Sequence, residues 1–167
     1  MEKSGFFNSS DGDRVYDATD FAAYFGSLVS NGVFYMAATN LQVSPAIGLA
    51  VNVAAGSAWI NGYRYENTDV LNMPLTTANG SNPRIDRIVV RLSQINRSIK
   101  LAVVTGTPAA TPVAPALTRT SDVYELGIAD VLIPAAATSI VANNITDTRL
   151  NTDLCGLVNS LVSAVYE

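Results

Sequence analysis

The stretch that most constrains the fold is RIDRIVVRLSQINRSIKLAVV, residues 84–104, which carries the clearest two-residue alternation in the chain. Ile88, Val90 and Leu92 fall on one side and Arg87, Val89 and Arg91 on the other, the pattern of a strand with one face buried and one mostly wet. After a turn over Ser93 to Asn96 the alternation resumes, with Ile99, Leu101 and Val103 inward and Ser98, Lys100 and Ala102 outward. These residues therefore predict a β-hairpin. Its basic outer face does not read as a nucleic-acid stripe. The chain is acidic, with a net charge of -4, and has no lysine run to track a phosphate backbone. Solvated or ion-paired strand faces are expected instead.

With 167 residues the chain can build one main core. Although 49% of its residues are hydrophobic, no apolar run approaches the roughly 20 residues that span a bilayer, so no membrane insertion is expected. The start MEKSG leads into no apolar segment of a secretory signal, and the lone Cys155 has no intrachain partner. Synthesis in a reducing cytoplasm is the expectation. Charged residues make up only 14% of the chain, against about 25% in an ordinary soluble domain, which suggests surfaces covered by other subunits.

The N-terminal stretch SGFFNSSDGDRVYDATDF is a polar loop with an aromatic pair, Phe6 and Phe7. At least one of the two is expected to insert into the domain or a neighbour. A helix is predicted over residues 17–30, capped by Asp17 with Asp20 in its first turn and stopped by Asn31-Gly32. Phe21, Tyr24, Phe25, Leu28 and Val29 form a stripe expected to be core. Asp11, Asp13 and Asp17 are spaced like the front of a calcium loop. Tyr16 and Ala22 stand where that loop needs a glycine and a bidentate glutamate, so turn and cap chemistry is the reading here and no metal is assigned.

Short strands follow from Leu41. In AWINGYRY, residues 58–65, Asn61-Gly62 is the favoured two-residue type I′ turn between strand-forming flanks. Its aromatics, Trp59, Tyr63 and Tyr65, are expected in the core; exposed, they would make a platform for stacking on sugar rings. The segment GTPAATPVAPALTRT, residues 106–120, carries Pro108, Pro112 and Pro115 and reads as an ordered surface strap. A strand is expected over residues 123–133. Asp130 there and Asp86 in the hairpin need partners, and Arg149 is the preferred arginine for one of them. Residues 154–166 carry Leu154, Leu157, Val158, Leu161, Val162 and Val165 at helical spacing, predicting a C-terminal apolar helix for packing or oligomerisation.

There is no histidine, so serine–histidine and cysteine–histidine catalysis and the usual zinc sites are unavailable. No GxGxxG or GxxxxGK[ST] phosphate loop is present either. The expectation is a protein that is not an enzyme and uses no cofactor.

Five blocks, SGFFNSSDGDRVYDATDF, AGSAWINGYRYEN, RIDRIVVRL, GTPAATPVAPALTRTSDVYELGIADV and NITDTRLNTDLCG, together and in this order resemble the N-terminal region of a family of phage tail and baseplate proteins. The family comes mostly from viruses and prophages of Gram-positive bacteria. The resemblance covers nearly the whole chain. It implies a virion structural role, attaching a tail fibre or receptor-binding protein to the baseplate, as a homotrimer among other tail proteins and with host cell-wall polysaccharide as a further partner. The alternative class is a carbohydrate-binding module using Trp59, Tyr63 and Tyr65. The expected architecture is mainly β: an antiparallel sandwich or partly open barrel over residues 1–150 with an N-terminal helix, then the helix within residues 151–167.

Overall fold

The structure, a computed structural model, describes residue 2 and residues 4–162. In chain order, the helix Ala18–Leu28 (α1) precedes the strands Gly32–Val33 (β1), Val43–Pro45 (β2), Ala50–Val53 (β3), Gly56–Ile60 (β4), Tyr63–Asn67 (β5) and Leu71–Pro74 (β6). Arg84–Ser93 (β7), Ser98–Val104 (β8), Val123–Ile133 (β9) and, after a short 3₁₀ turn, Ile145–Asp147 (β10) complete it. All strand pairs are antiparallel and fall into three sheets, ordered β1-β4-β5, β2-β3-β6 and β10-β9-β7-β8. The fold is mainly β with one N-terminal helix, and the sheets remain open rather than closing into a barrel.

β7 and β8 form the expected hairpin, with Ser93 opposite Ser98 at its closed end. Ile88, Val90 and Leu92 enter a core shared by all three sheets, joined by Ala58 and Ile60 from β4, Val51 and Val53 from β3, and Leu126, Val131 and Ile133 from β9. The opposite face of β7 is not wet: Arg87 and Val89 are buried as well. β7 is a central strand, and the proline-rich segment crosses its outer face, as its reading as a strap predicts.

β9 carries a bulge. Pairing moves from Val89 opposite Gly127 to Ile88 opposite Ala129, leaving Ile128 as the extra residue. The extra residue shifts the alternation, so Leu126 and Val131 both face the core while Glu125 and Asp130, five positions apart, both face the strap. The groups at the bulge find partners downstream: Gly127 N–H donates to Leu154 O (2.9 Å), Thr148 N–H to Ile128 O (3.1 Å) and Thr148 Oγ1 to Gly127 O (2.7 Å).

Those bonds help explain why the predicted C-terminal helix is absent over the described residues 154–162. Gly156 takes φ +82, and the chain beyond it lies beside β1, with Val33 N–H donating to Gly156 O (3.0 Å) and Val158 N–H to Val33 O (3.1 Å). Farther on, Leu161 N–H donates to Leu28 O (2.8 Å). Gly32 makes the approach possible, since a Cβ there would sit 2.5 Å from the Leu157 carbonyl carbon. Val165 lies outside the described residues.

α1 is capped as expected. The Asp17 carboxylate accepts from Thr19 N–H (2.8 Å) and Asp20 N–H (3.2 Å), and Asp20 accepts from Asp17 N–H (3.1 Å). The helix ends at Leu28, because Val29 turns extended and bridges to Ser160. Its aromatic stripe is not core: Phe21, Tyr24 and Phe25 are 48%, 48% and 42% exposed, and Ala22 is the buried residue of the helix. The reason is steric. α1 rests on the Asn61-Gly62 turn through Ala22 and Gly26, where only small side chains fit, and this turns the rings to the flank.

Gly62 combines φ +83 with a position where a Cβ would meet Ala22 O at 1.9 Å. Gly62→Ala is therefore expected to cost about 2 kcal/mol or more, through strain at a left-handed position and displacement of α1. Urea denaturation followed by tryptophan fluorescence measures it, since Trp59 contacts the helix through Phe25.

Candidate functional site

Three features are candidates: the ionic layer under the strap, a cleft between two sheet edges, and an exposed band of rings along α1. In the ionic layer, strand register places Arg87 opposite Asp130 and Arg91 opposite Glu125. Arg87 Nε and Nη2 bond the two Asp130 oxygens at 2.7 and 2.8 Å, and Nη1 donates to Pro115 O of the strap at 2.7 Å. Buried Glu125 accepts from Arg91 Nε at 2.6 Å and from Thr118 N–H at 2.7 Å. On the other face of β7, opposite Val131, fully buried Asp86 accepts from Arg84 Nε and from Gly106 N–H at the start of the strap, both at 2.9 Å.

Each of these three carboxylates thus has an arginine and a strap amide, or an arginine that reaches a strap carbonyl. The layer is structural: its polar atoms point at each other and at backbone. The sequence leads to an arginine for one of Asp86 and Asp130; both have one, and they are Arg84 and Arg87. Arg149, the arginine favoured from sequence, instead pairs with Asp147 and donates to Ala38 O (2.9 Å) and Asn40 O (2.6 Å), holding the loop before β2.

The cleft has a volume of about 730 Å³ and lies between β5, the start of β8 and the first turn of α1. Tyr63, Tyr65, Leu92 and Ile99 give it apolar lining, and Arg64, Glu66, Gln94 and Arg97 give it polar groups. Burial pushes the Tyr65 phenol above its ordinary value of 10.0. Trp59 is not part of this surface. It stands opposite Arg64, whereas Tyr63 and Tyr65 stand opposite Ile60 and Ala58 and pack on the core. Directly opposed residues share a face, so the three aromatics do not make one stacking platform.

Trp59 belongs to the band of rings. Phe6 lies against Tyr16, Phe21 and Tyr24 at 5.4, 5.6 and 5.0 Å; Tyr24 meets Phe25 at 5.7 Å, Phe25 meets Trp59 at 5.9 Å, and Trp59 meets Phe34 at 6.4 Å. Sequence reasoning found the stripe but placed it in the core. Of the residues expected at an oligomer seam, Leu154, Leu157 and Val158 are half-buried against their own chain, and Leu161 and Val162 are exposed near the end of α1.

Among the described residues no group of three His, Cys, Asp or Glu is placed to hold a metal ion, and no helix is long and apolar enough to cross a membrane. Asp13 accepts from Ser10 N–H at 2.7 Å and Asp17 caps α1, the turn and cap roles expected of them. Cys155 is buried, and desolvation pushes its thiol up to about 12, which makes it a poor nucleophile. Comparison with known protein families, with curated proteins and with solved structures finds no match for this chain.

Two outcomes test this layer and its neighbour. Arg87→Ala leaves Asp130 unpaired and frees the Pro115 carbonyl, and is expected to lower stability by about 3 kcal/mol, the range for halving a buried pair, with proteolysis opening first within the strap. The hydrogen bond from Arg149 holds the Asp147 carboxyl below its ordinary 3.8. A depressed carboxyl stabilises the fold at pH above 3.8, and that contribution is lost as the pH falls through the lowered value. Asp147→Asn should therefore flatten the acid limb of a plot of melting temperature against pH and leave its shape near neutrality unchanged.

Proposed function

We propose that this chain is a non-enzymatic structural protein of a phage virion, a baseplate or tail-fibre attachment module made in the bacterial host cytoplasm and assembled as a homotrimer with other tail proteins. The observation that carries the reading is the band of rings on α1. Phe21, Tyr24 and Phe25 are roughly half exposed, and Phe6, which lies against Phe21 and Tyr24, and its chain neighbour Phe7 are 47% and 59% exposed. Covering each such side chain contributes about 1 to 2 kcal/mol beyond what the lone chain achieves. A contiguous aromatic surface of this kind marks an interaction site. The low charge content and the ordered resemblance to tail and baseplate proteins support the same reading, with the interface on α1 and the adjoining Leu161 and Val162 rather than on a C-terminal helix.

The carbohydrate reading keeps one observation in its favour, the pair Tyr63 and Tyr65 lining the cleft. One set of measurements separates the two. Light scattering coupled to gel filtration is expected to give a mass three times the 17.6 kDa of the chain. The double variant Phe21→Glu/Tyr24→Glu should fall to the monomer mass with an unchanged circular-dichroism spectrum. A wild-type protein that is monomeric at high micromolar concentration, and that sediments with Gram-positive cell walls unless Tyr65 is replaced by Ala, would establish the glycan binder instead.

A further inference from the structure

We infer that the cleft between β5 and β8 receives, as an added strand, the N-terminal arm (residues 4–16) of a second copy of this chain; this rests on the assembly reading above. β5 is the last strand of its sheet and β8 the last of another, and both border the same cleft. In a two-residue hairpin the closing pair, Ile60 and Tyr63, is the hydrogen-bonded one, and Ala58 with Tyr65 is the next. The N–H and C=O groups of Arg64 and Glu66 therefore point to the open edge, and among the described residues no backbone group outside the hairpin bonds them. An open row of backbone donors and acceptors set beside a recess is a template for strand addition.

The arm matches this recess in chemistry and in origin. Residues 4–15 are exposed, including Phe6 and Phe7; Phe6 touches its own Tyr16, Phe21 and Tyr24 on one side only and Phe7 N–H donates to Tyr16 Oη (2.9 Å), so exchange trades these surface contacts for burial in the cleft. Tyr63, Tyr65, Leu92 and Ile99 offer those rings an apolar lining. Arg97 lines the cleft without an ion-pair partner among the described residues, and the arm carries Asp11 and Asp13. The arm joins α1 at Asp17, next to Ala18 and Thr19 on the rim of the same cleft. Extended at ~3.3 Å per residue it reaches on the order of 40 Å.

The test mixes two variants of the 167-residue chain, each with one added cysteine, Phe7→Cys and an affinity-tagged Ser98→Cys, and oxidises them with copper phenanthroline; native Cys155 is buried and serves as the background. Phe7→Cys mixed with Val113→Cys, on the exposed strap, is the control. The expected result is a disulfide-linked heterodimer through residues 7 and 98 at five-fold or more the control yield. A yield equal to the control from a protein of trimer mass overturns the arm and leaves the assembly reading standing, whereas a wild-type monomer overturns both. A link formed within one chain by the Phe7→Cys/Ser98→Cys double variant at low concentration assigns the cleft to the chain's own arm and overturns exchange. Protection of Ser98→Cys from maleimide by Gram-positive cell-wall polysaccharide, with a control-level cross-link, makes a glycan the occupant and overturns it too.

Discussion

The bidentate pairing of Arg87 with Asp130 ties the central sheet to the strap that covers it. It joins the two longest strands, and the same guanidinium binds the strap through Pro115 O. A proline-rich segment has few amide donors and cannot attach itself by a regular ladder. Here side chains add to scattered backbone bonds such as Ala109 N–H to Pro83 O (3.0 Å) and Glu125 N–H to Thr118 O (3.0 Å): Arg87, Glu125 and Asp86 each contact the strap backbone. The cost of burying these charges is offset because each ion satisfies several partners at once. With the strap in place, Val89 and Arg87 leave solvent, and one sheet acquires cover on both faces.

That layer exists because of a single extra residue. Without the bulge at Ile128, Glu125 and Asp130 would lie on opposite faces of β9, and one carboxylate would enter the apolar core. The bulge also disturbs the ladder, and the chain after β10 supplies the missing partners through Thr148 and Leu154. Residues 148–154 are thereby committed to β9, and the residues after Gly156 to β1. Apolar spacing alone predicted a helix there, but a backbone engaged with two neighbouring strands cannot also close helical bonds on itself.

The surface left for function follows from small residues rather than large ones. Ala22 and Gly26 meet the Asn61-Gly62 turn, so α1 sits close to the hairpin and its rings point along the flank. The same placement sets the first turn of α1 at the mouth of the cleft between β5 and β8. The aromatic band and the cleft with its open strand edges consequently both border α1.

The sequence by itself determined the local elements with strong, short-range causes. The alternation in β7 and β8, the Asn61-Gly62 turn, the Asp17 cap and the strap could all be read because each depends on residues a few positions apart. It also required partners for Asp86 and Asp130, an arginine for one of them. Which arginines, which face the α1 rings take, and whether residues 154–162 coil or extend were decided only by tertiary structure. Each depends on register between distant strands or on a close approach at glycine, and a hydrophobic pattern records neither. Tyr63 and Tyr65 share a face and Trp59 does not for the same reason: cross-strand pairing, not proximity in the chain, chooses the neighbours of a side chain.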